Sequence, residues 1–286
     1  MDLADATPLI LTFNEAPNIE RTLRPLDWAA EIVVVDSGST DATLEILSRH
    51  ANVRVVHRTF DNHTSQWNYG VGEVRTPWVL SLDADYVLPR AFAAELRRLT
   101  PESDVAAYFA GFRYLVFGKP LRGTIYPDRA VLFRRESCEY VADGHTQLLR
   151  PRGRTCRLVE RIDHDDRKPL DRWLASQRAY AALEADELLK KGPRNLNWAD
   201  RIRRRIVLAA PAAFLYSLLV KGCILDGWHG WYYAMQRGYA ELLLSLELLH
   251  RRLDNCNRFT ETAQRAAPSA VAGDVGPAQH GLSRQE

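Results

Sequence analysis

The sequence predicts an α/β fold with a mostly parallel sheet, followed by a helical region towards the C-terminal end. Between residues 8 and 99, short apolar runs alternate with amphipathic stretches, which is typical of parallel strands joined by crossover helices. From residue 169 onward, apolar residues recur at helical spacing instead. We therefore expect an α/β domain at 1–168 and a helical region at 169–259. Residues 260–286, rich in Ala, Gly, Pro, Ser and Gln, are expected to form a disordered tail.

Four strands are expected to form the first part of the sheet, and each ends in a polar loop. They cover residues 9–13, 32–36, 53–56 and 78–82, with helices beginning near Asn18, after Asp41, near Ser65 and after Pro89. Because the carboxyl ends of parallel strands meet at one edge of an open sheet, a ligand should bind there. In the helical region, the last apolar stripe indicates a helix that packs on something; it comprises Met235, Tyr239, Leu242, Leu246, Leu249 and Leu253.

Composition and charge exclude several classes of protein. The chain is 46% hydrophobic and 26% charged, like an ordinary globular protein, and its net charge of +2 gives no reason to expect a nucleic-acid partner. Its four cysteines lie far apart without a CxxC pair, so we expect reduced thiols rather than a metal knuckle. The first residues lack the basic stretch and long apolar run of a secretory signal, so we expect a site that faces the cytoplasm.

The strongest local signal is Asp83-Ala84-Asp85, which directly follows a predicted buried strand. Two carboxylates one residue apart repel each other unless a cation lies between them, and Mg²⁺ or Mn²⁺ prefers such oxygen ligands together with substrate phosphates. For this segment alone, an acidic loop or a helix cap is the alternative. The context favours a site, because polar residues at 12–15 and 36–41 follow neighbouring strands and should lie at the same edge.

Three segments carry a resemblance to a known family. They are Thr12-Phe13-Asn14-Glu15, residues 34–41 (Val-Val-Asp-Ser-Gly-Ser-Thr-Asp) and Leu82-Asp83-Ala84-Asp85. In order and spacing they resemble the family 2 glycosyltransferases of the GT-A fold, which has a Rossmann-like, mostly parallel sheet. The resemblance covers about residues 8–164 and points to the branch that includes lipopolysaccharide-core glucosyltransferases. That branch often has an acidic residue after the second aspartate, where this chain has Tyr86, so a ligand role at that position is lost.

The resemblance implies a role for each matching residue. The residues expected around the sugar nucleotide are Thr12, Asn14 and Glu15 in the pocket wall, Asp36 at the uracil end, Gln66 and Asn68 closing the pocket, and Asp83 facing the ribose and diphosphate. Asp85 would hold the metal ion, Mg²⁺ or Mn²⁺, and His164 matches a position where related enzymes place a histidine on the metal.

A second polar cluster lies between residues 126 and 164. We place Arg134 near the diphosphate, where a guanidinium would offset charge as the leaving group departs, although a solvated strand face is the alternative. In Asp143-Gly144-His145, the glycine allows the acid and the imidazole to turn into one cavity, and an inverting transfer needs a base. The resembling branch commonly has His-Glu here, but Thr146 follows His145. We therefore favour Asp143 as the base, with His145 next and a purely structural turn as the alternative.

The C-terminal half contains a segment suited to a membrane surface. A basic run at 201–205 precedes 15 apolar residues at 206–220, fewer than the roughly 20 needed to span a bilayer. Because Pro211 lies inside this segment and an aromatic cluster at 228–233 follows it, we expect insertion into one leaflet of an anionic membrane surface. A buried core helix or an oligomer contact is the alternative, so a homo-oligomer stays open.

Together these observations predict an enzyme. We expect inverting, metal-dependent transfer of a sugar from a UDP-sugar to a glycan or lipid-linked acceptor, in bacterial-type synthesis of cell-surface polysaccharide or glycolipid. Inversion is implied by the family resemblance. The protein would be cytoplasmic and peripheral on the inner face of the plasma membrane. Two alternatives are a nucleotidyltransferase, which normally has a glycine-rich phosphate loop that does not follow the first strand here, and a non-catalytic nucleotide-binding membrane adaptor.

Overall fold

The computed structural model describes the backbone of residues 1–143 and 146–266, and their side chains except at 143, 146, 193 and 256–266. His145 and residues 267–286 of the predicted tail lie outside the described residues. The chain divides into two units, Met1–Leu248 and Leu249–Glu286. The first unit contains the sheet and all the candidate site residues that the structure describes.

The strands and helices follow the alternating order expected of an α/β domain and then become helical. The strands are β1 (Ala6–Thr12), β2 (Ile32–Asp36), β3 (Val53–His57), β4 (Trp78–Asp83), β5 (Tyr86–Val87), β6 (Val105–Val116), β7 (Lys119–Pro120), β8 (Arg129–Arg134), β9 (Cys138–Asp143), β10 (Thr146–Pro151) and β11 (Arg154–His164). The helices are α1 (Ile19–Leu23), α2 (Thr43–Ser48), α3 (His63–Glu73), α4 (Arg90–Arg98), α5 (Leu170–Lys190), α6 (Trp198–Arg204), α7 (Ala209–Leu215) and α8 (Trp228–Ala266).

The main sheet has the order β3-β2-β1-β4-β8-β6-β11-β5, and its first four strands are parallel, as predicted. The remaining strands are mixed: β8 is antiparallel to both β4 and β6, and β11 is parallel to β6. β2 is completely buried because helices cover both faces of a parallel sheet, so its residues read as one apolar run. The fold is therefore a GT-A-like α/β fold whose first half is a parallel, doubly covered sheet.

Three predicted strand ends lie side by side at the carboxyl edge of this sheet. β1 lies between β2 and β4, with Thr12 opposite Asp36 on one side and Leu11 opposite Asp83 on the other. This register brings together residues that are far apart in sequence. The expectation that the polar strand ends meet at one edge is confirmed by the strand pairing.

A separate hairpin of β9 and β10 packs on α3. The ring of Trp67 stacks on Tyr140 with centroids 5.3 Å apart, and the side-chain amide of Asn68 bonds both backbone groups of Tyr140, at 2.8 and 2.9 Å. The hairpin is thus fixed to α3 by an aromatic pair and by two backbone hydrogen bonds. The predicted base, Asp143, is the last residue of β9, and the alternative, His145, lies between the two strands.

The helical region buries a face of α8 that does not include the predicted stripe. Residues of α5 (Ala181, Ala185 and Leu188) pack against Leu244 and Leu248 of α8. The predicted stripe is instead exposed, from 38% for Tyr239 to 56% for Met235 among its members. α8 thus carries apolar residues on two faces, and what the exposed stripe packs on stays a prediction.

The apolar segment 206–220 does not form one continuous helix. Ile206 has a positive φ of 61°, α7 begins only at Ala209, and residues Tyr216–Val220 form a π-helical turn. Most of its large apolar side chains are exposed, so the buried core helix is excluded as an explanation. Among the helices within 1–143 and 146–266, none combines the length and the apolarity needed to cross a bilayer.

The last helix continues past the expected start of the tail. α8 ends at Ala266, whereas the disordered tail was predicted from Thr260. Residues 260–266 contain Glu, Ala, Gln and Arg, which are good helix formers, and the strongest helix breakers come later, at Pro268 and Gly273. Composition averaged over the whole tail concealed this boundary.

Two glycines of α3 give a matched test of how closely this helix packs on the sheet. A Cβ at Gly70 would lie 2.7 Å from Leu9 Cδ1, and Leu9 is itself completely buried, whereas a Cβ at Gly72 would meet nothing within 4 Å. We expect Gly70→Ala to lower the free energy of unfolding by about 1–3 kcal/mol through overpacking. Gly72→Ala should raise it by about 0.5–1 kcal/mol.

Urea unfolding of both variants measures the difference. Equal stability of the two variants would contradict the close approach of α3 to β1.

Candidate functional site

A cavity of about 590 Å³ opens at the carboxyl edge of the sheet. One side is formed by the strand ends and the opposite side by α5, α6 and α8. Among the lining residues are Thr12, Glu15, Ser37, Gln66, Asp83, Asp85, Arg129, Lys168, Tyr180, Glu184, Arg203, Arg237 and Glu241. The cavity is large enough for a nucleotide-sized ligand and is lined with both acidic and basic groups.

Asp36 organises the loop beneath this cavity. Its carboxylate accepts hydrogen bonds from Thr12 Oγ1 at 2.8 Å, from Ser39 Oγ at 2.6 Å and from the backbone amides of Gly38 and Ser39. The residue has no exposed surface, so the carboxylate does not reach the cavity in this structure. In this structure Asp36 shapes the loop and its neighbour Ser37 lines the cavity, and the contact of Asp36 with the uracil end stays a prediction.

Asn14 also has a loop-positioning role. It has a positive φ of 55°, which asparagine tolerates better than most residues. Its side-chain oxygen accepts hydrogen bonds from the backbone amides of Thr40 at 2.7 Å and Asp41 at 3.2 Å. The backbone amide of Asn14 donates to Ser39 Oγ. The side chain thus joins the loops that follow β1 and β2. Asn14 is not among the residues that line the cavity in this structure, and its role in the nucleotide pocket stays a prediction.

Gln66 and Asn68, both predicted to close the pocket, point in different directions. Gln66 is completely buried, lines the cavity and donates to Ser37 Oγ at 3.0 Å. Asn68, two residues further along α3, instead binds the backbone of β9 as described above. Residues two apart on a helix do not share a face, which explains the difference.

Asp83 and Asp85 both line the cavity, as expected for the Asp83-Ala84-Asp85 segment. Burial, and then the charge of Asp85, raise the pKa of Asp83. Burial alone would also raise the pKa of Asp85, but the charges of His164 and Lys168 hold it well below its usual value. Asp85 Oδ2 lies 3.3 Å from His164 Nε2 and 3.6 Å from Lys168 Nζ. The other oxygen, Oδ1, is buried and has no hydrogen-bond partner among the described residues.

Lys168 is the functional candidate that sequence reasoning missed. Its ammonium lies 3.1 Å from Glu15 Oε1 and 3.3 Å from Asp166 Oδ1, besides its contact with Asp85. Burial would lower the pKa of Lys168, but Asp85 and Glu15 raise it above its usual value. The one available signal was a basic residue closing the acidic loop that begins at Asp163. Glu15 occupies the predicted pocket position, and burial raises the pKa of its carboxyl.

His164 lies at the end of β11 beside Asp85, where the resemblance expects a metal ligand. The rings of Tyr86, Tyr114 and Tyr126 meet the imidazole edge-to-face, with centroids 4.7 to 5.4 Å away. Burial opposes the charged form, but Asp85 raises the pKa of His164 above its usual value. Its Nδ1 is buried without a hydrogen-bond partner among the described side chains and backbone groups. Tyr86, which replaces the acid of the resembling branch, therefore belongs to an aromatic wall around the imidazole.

These residues fit a divalent cation only if a substrate completes the coordination. Within 1–143 and 146–266, no three side chains of His, Cys, Asp or Glu are placed to bind one metal ion. Asp85 nevertheless has an unpartnered carboxylate oxygen, and Asp83 shares the cavity surface. Mg²⁺ and Mn²⁺ commonly take one or two carboxylates together with substrate phosphates. The donor set therefore fits a cation shared with a bound diphosphate.

Arg134 does not lie at this site. It pairs with Trp78 at the beginning of β4, whereas Asp83 is at the end of that strand. Its guanidinium donates to the Val105 carbonyl at 2.9 Å and lies 4.5 Å from the centroid of the Trp78 ring. The prediction was wrong because β8 is antiparallel to β4, so its last residue reaches the opposite edge of the sheet. Arg129, at the start of β8, lines the cavity instead.

The hairpin that carries Asp143 lies at the rim of the cavity. Gln147 of β10 lines the cavity and also a smaller neighbouring one of about 240 Å³. Asp143 ends β9 and pairs with Thr146 at the start of β10. The side chain of Asp143 and all of His145 lie outside the described residues. The backbone therefore brings this segment to the cavity, and the identity of the base stays a prediction.

Comparison with known proteins identifies the same part of the chain. Residues 9–136 match the model of glycosyl transferase family 2. The lipopolysaccharide core biosynthesis glycosyltransferase LpsC of Rhizobium meliloti (strain 1021) is 23% identical over 259 residues, which covers 85% of this chain and 91% of LpsC. An uncharacterised glycosyltransferase of Rickettsia bellii (strain RML369-C) is 30% identical over 102 residues, or 35% of this chain and 34% of the relative.

Among solved structures, S. aureus TarS 1–349 in complex with UDP-GlcNAc is similar, with 15% identity, a TM-score of 0.47 and coverage of 87% of this chain and 92% of TarS 1–349. The family match spans the ends of β1, β2 and β4 and the two aspartates after β4. Residues 9–136 therefore match glycosyl transferase family 2, and this match together with the similarity to LpsC supports a glycosyltransferase.

Proposed function

We propose that this glycosyltransferase transfers a sugar from a UDP-sugar, with inversion and with a divalent metal ion, to a glycan or lipid-linked acceptor. The observation that carries the proposal is the cavity in which Asp83 and Asp85 face Lys168 at the strand ends. A sugar nucleotide carries a negatively charged diphosphate. A site that binds it with a metal ion needs a basic side chain to face the diphosphate and carboxylates to hold the metal ion. The similarity to a lipopolysaccharide core glycosyltransferase supports an acceptor in the cell envelope.

The chemistry follows from these side chains. As the acceptor oxygen forms a bond to the anomeric carbon, the bond from that carbon to the diphosphate breaks and its electron pair leaves with UDP. The acceptor hydroxyl gives its proton to a base, for which we propose Asp143, with His145 as the alternative. Lys168 and Arg129 lie in the cavity, where their charges offset that of the departing diphosphate. Asp85 and Asp83, with His164 nearby, would hold a bound Mg²⁺ or Mn²⁺, which would supply further charge neutralisation.

We also propose that the enzyme works at the cytoplasmic face of a membrane. Apolar side chains are exposed throughout residues 207–228, from 43% for Ile224 to 84% for Trp228; they are Val207, Leu208, Leu215, Leu219, Val220, Ile224, Leu225 and Trp228. We call these the apolar surface. Large exposed apolar patches on a soluble fold mark interaction sites, and a rim of basic residues favours anionic lipid.

Only some of the basic and aromatic residues of this membrane hypothesis are exposed in the structure. Of the run 201–205, Arg201 and Arg205 are exposed, whereas Arg203 pairs with Glu241 and the guanidinium of Arg204 donates to backbone carbonyls at the end of α5. In the aromatic cluster, Trp228 is exposed, but Tyr233 is buried and bonds the loop at 124–125. The proposed membrane contact is therefore carried by the apolar surface with two arginines.

The donor reaction is tested with Asp85→Asn. We expect wild-type protein to release UDP slowly from one of UDP-glucose, UDP-galactose or UDP-GlcNAc when Mn²⁺ is present. Because the variant loses the charge facing the cation, release should fall by about 10²-fold or more. Asp27→Asn, which changes an exposed carboxylate outside the cavity, should release UDP like the wild type.

UDP binding without release in the wild type would support the adaptor alternative. Release from a nucleoside triphosphate, but from no sugar nucleotide, would support a nucleotidyltransferase.

The base is tested with Asp143→Asn. Loss of a general base typically costs about 10²-fold or more in rate, so transfer should fall by that factor while UDP binding stays nearly intact. Glu139→Gln is the matched control, because Glu139 is exposed on the same hairpin and pairs with Arg152. Product formation measured by mass spectrometry with membrane lipid extracts as acceptors gives the rate. Undiminished transfer by Asp143→Asn would move the assignment to His145 or elsewhere.

The membrane contact is tested by flotation with vesicles that contain phosphatidylglycerol. We expect Leu225→Asp, which places a charge in the apolar surface, to reduce the bound fraction by about tenfold, since a buried charge is strongly disfavoured in lipid. Val159→Asp is the control, because Val159 is 86% exposed on β11, outside the apolar surface. Equal binding by the two variants would overturn the proposed contact.

A further inference from the structure

A groove of about 440 Å³ adjoins the catalytic cavity in the helical region. Its lining is mainly apolar and includes Trp198, Ala199, Ile202, Ala209, Ala212 and Ala213. The groove and the cavity share three residues, Ile125, Arg203 and Glu241. The two spaces are therefore neighbours that meet at one polar boundary.

The sequence forms this groove by placing small residues on one side of a short helix. Ala209, Ala212 and Ala213 are spaced by three and four residues, so they lie on the same face of α7. Asn197 caps α6 and closes a capping box with Asp200, which sets the start of that helix at Trp198. The turn between α6 and α7 contains Ile206 in a positive-φ conformation. The side chains of α7 facing the groove are too small to fill the space beside α6.

The boundary with the cavity carries charge. Arg203 lies 3.1 Å from Glu184 and 2.6 Å from Glu241, and all three residues line the cavity. On the groove side of this cluster the neighbouring residues are Ile202 and the alanines of α7. A ligand lying across the boundary would therefore meet apolar groups at one end and charged groups at the other.

The outer end of the groove reaches the apolar surface. Tyr216 and Lys221 line the groove, and they flank Leu219 and Val220, which are 57% and 68% exposed. Trp198, at the start of α6, is 71% exposed. The groove is thus bordered by exposed apolar groups on the outside and by the catalytic cavity on the inside.

We propose that this groove binds the apolar chain of a lipid-type acceptor, so that its sugar hydroxyl enters the cavity beside Arg203 and Glu241. This inference rests on the proposed function and adds the chemical class of the acceptor to it. Burial of methylene groups in an apolar groove is favourable, whereas the polar head is satisfied by the charged boundary. The volume lies within the range of small-molecule sites, and continuity with the cavity favours a ligand chain over a second protein copy.

The test uses dodecyl β-glucoside, below its micelle-forming concentration, as a probe of the groove. Ala213→Leu fills the groove and Ala199→Asp places a charge in it, so the two variants act by different means. We expect each to weaken probe binding by about tenfold, as when several methylene groups lose their buried site. Ala91→Leu, at an exposed position of α4, is the control and should bind like the wild type. Thermal unfolding of every variant reports whether it is folded. Because the two groove variants differ in kind, one can still test the proposal if the other does not fold.

Donor hydrolysis by the wild-type protein separates the two hypotheses. If the wild type releases UDP but the probe binds equally to wild type and to both folded groove variants, the groove proposal is overturned while the proposed function stands. If no UDP-sugar is hydrolysed, the proposed function fails, and the acceptor assignment fails with it. A change from dimer to monomer in size-exclusion chromatography, without loss of probe binding, would assign the groove to a subunit contact and overturn the proposal.

Discussion

The site depends on balanced charge at the carboxyl edge of the sheet. Glu15, Asp83, Asp85 and Asp166 lie in or beside one cavity, and Lys168 contacts three of them. Carboxylates this close destabilise the fold unless a cation lies among them, since buried like charges repel strongly. Lys168 provides that cation in this structure, and His164 Nε2 lies 3.3 Å from Asp85 Oδ2. Under the proposed function, a metal ion and a diphosphate would bring further charges of both signs to this edge.

The loops around this edge are held by polar side chains rather than by apolar packing. Asp36 bonds the turn that follows it, Asn14 joins that turn to the loop after β1, and Arg21 binds Asp165 near the end of β11. Each is an acceptor or donor with several partners, so removing one leaves others unsatisfied. The residues of the family motif thus divide into two groups: some face the cavity, and others fix the backbone that forms it.

The sequence predicted the parallel half of the sheet well because each strand is a continuous apolar run ending in a polar loop. It also located Asp83 and Asp85, since order along a parallel sheet determines which ends meet. It failed where the direction of a strand had to be known. Arg134 was misplaced because β8 is antiparallel to β4, which reverses the edges of the sheet that its two ends reach. Lys168 was missed because only folding brings it to Glu15, far away in sequence.

Helix α3 contacts two segments that are far apart in sequence. Gln66 donates a hydrogen bond to Ser37 Oγ in the cavity lining. Asn68 bonds both backbone groups of Tyr140, in the hairpin that contains Asp143. Only one residue separates Gln66 from Asn68, so the contact with Ser37 and the contact with the hairpin depend on the same part of α3. Any change that moves this part of α3 therefore alters the cavity lining at Ser37 and the hairpin together.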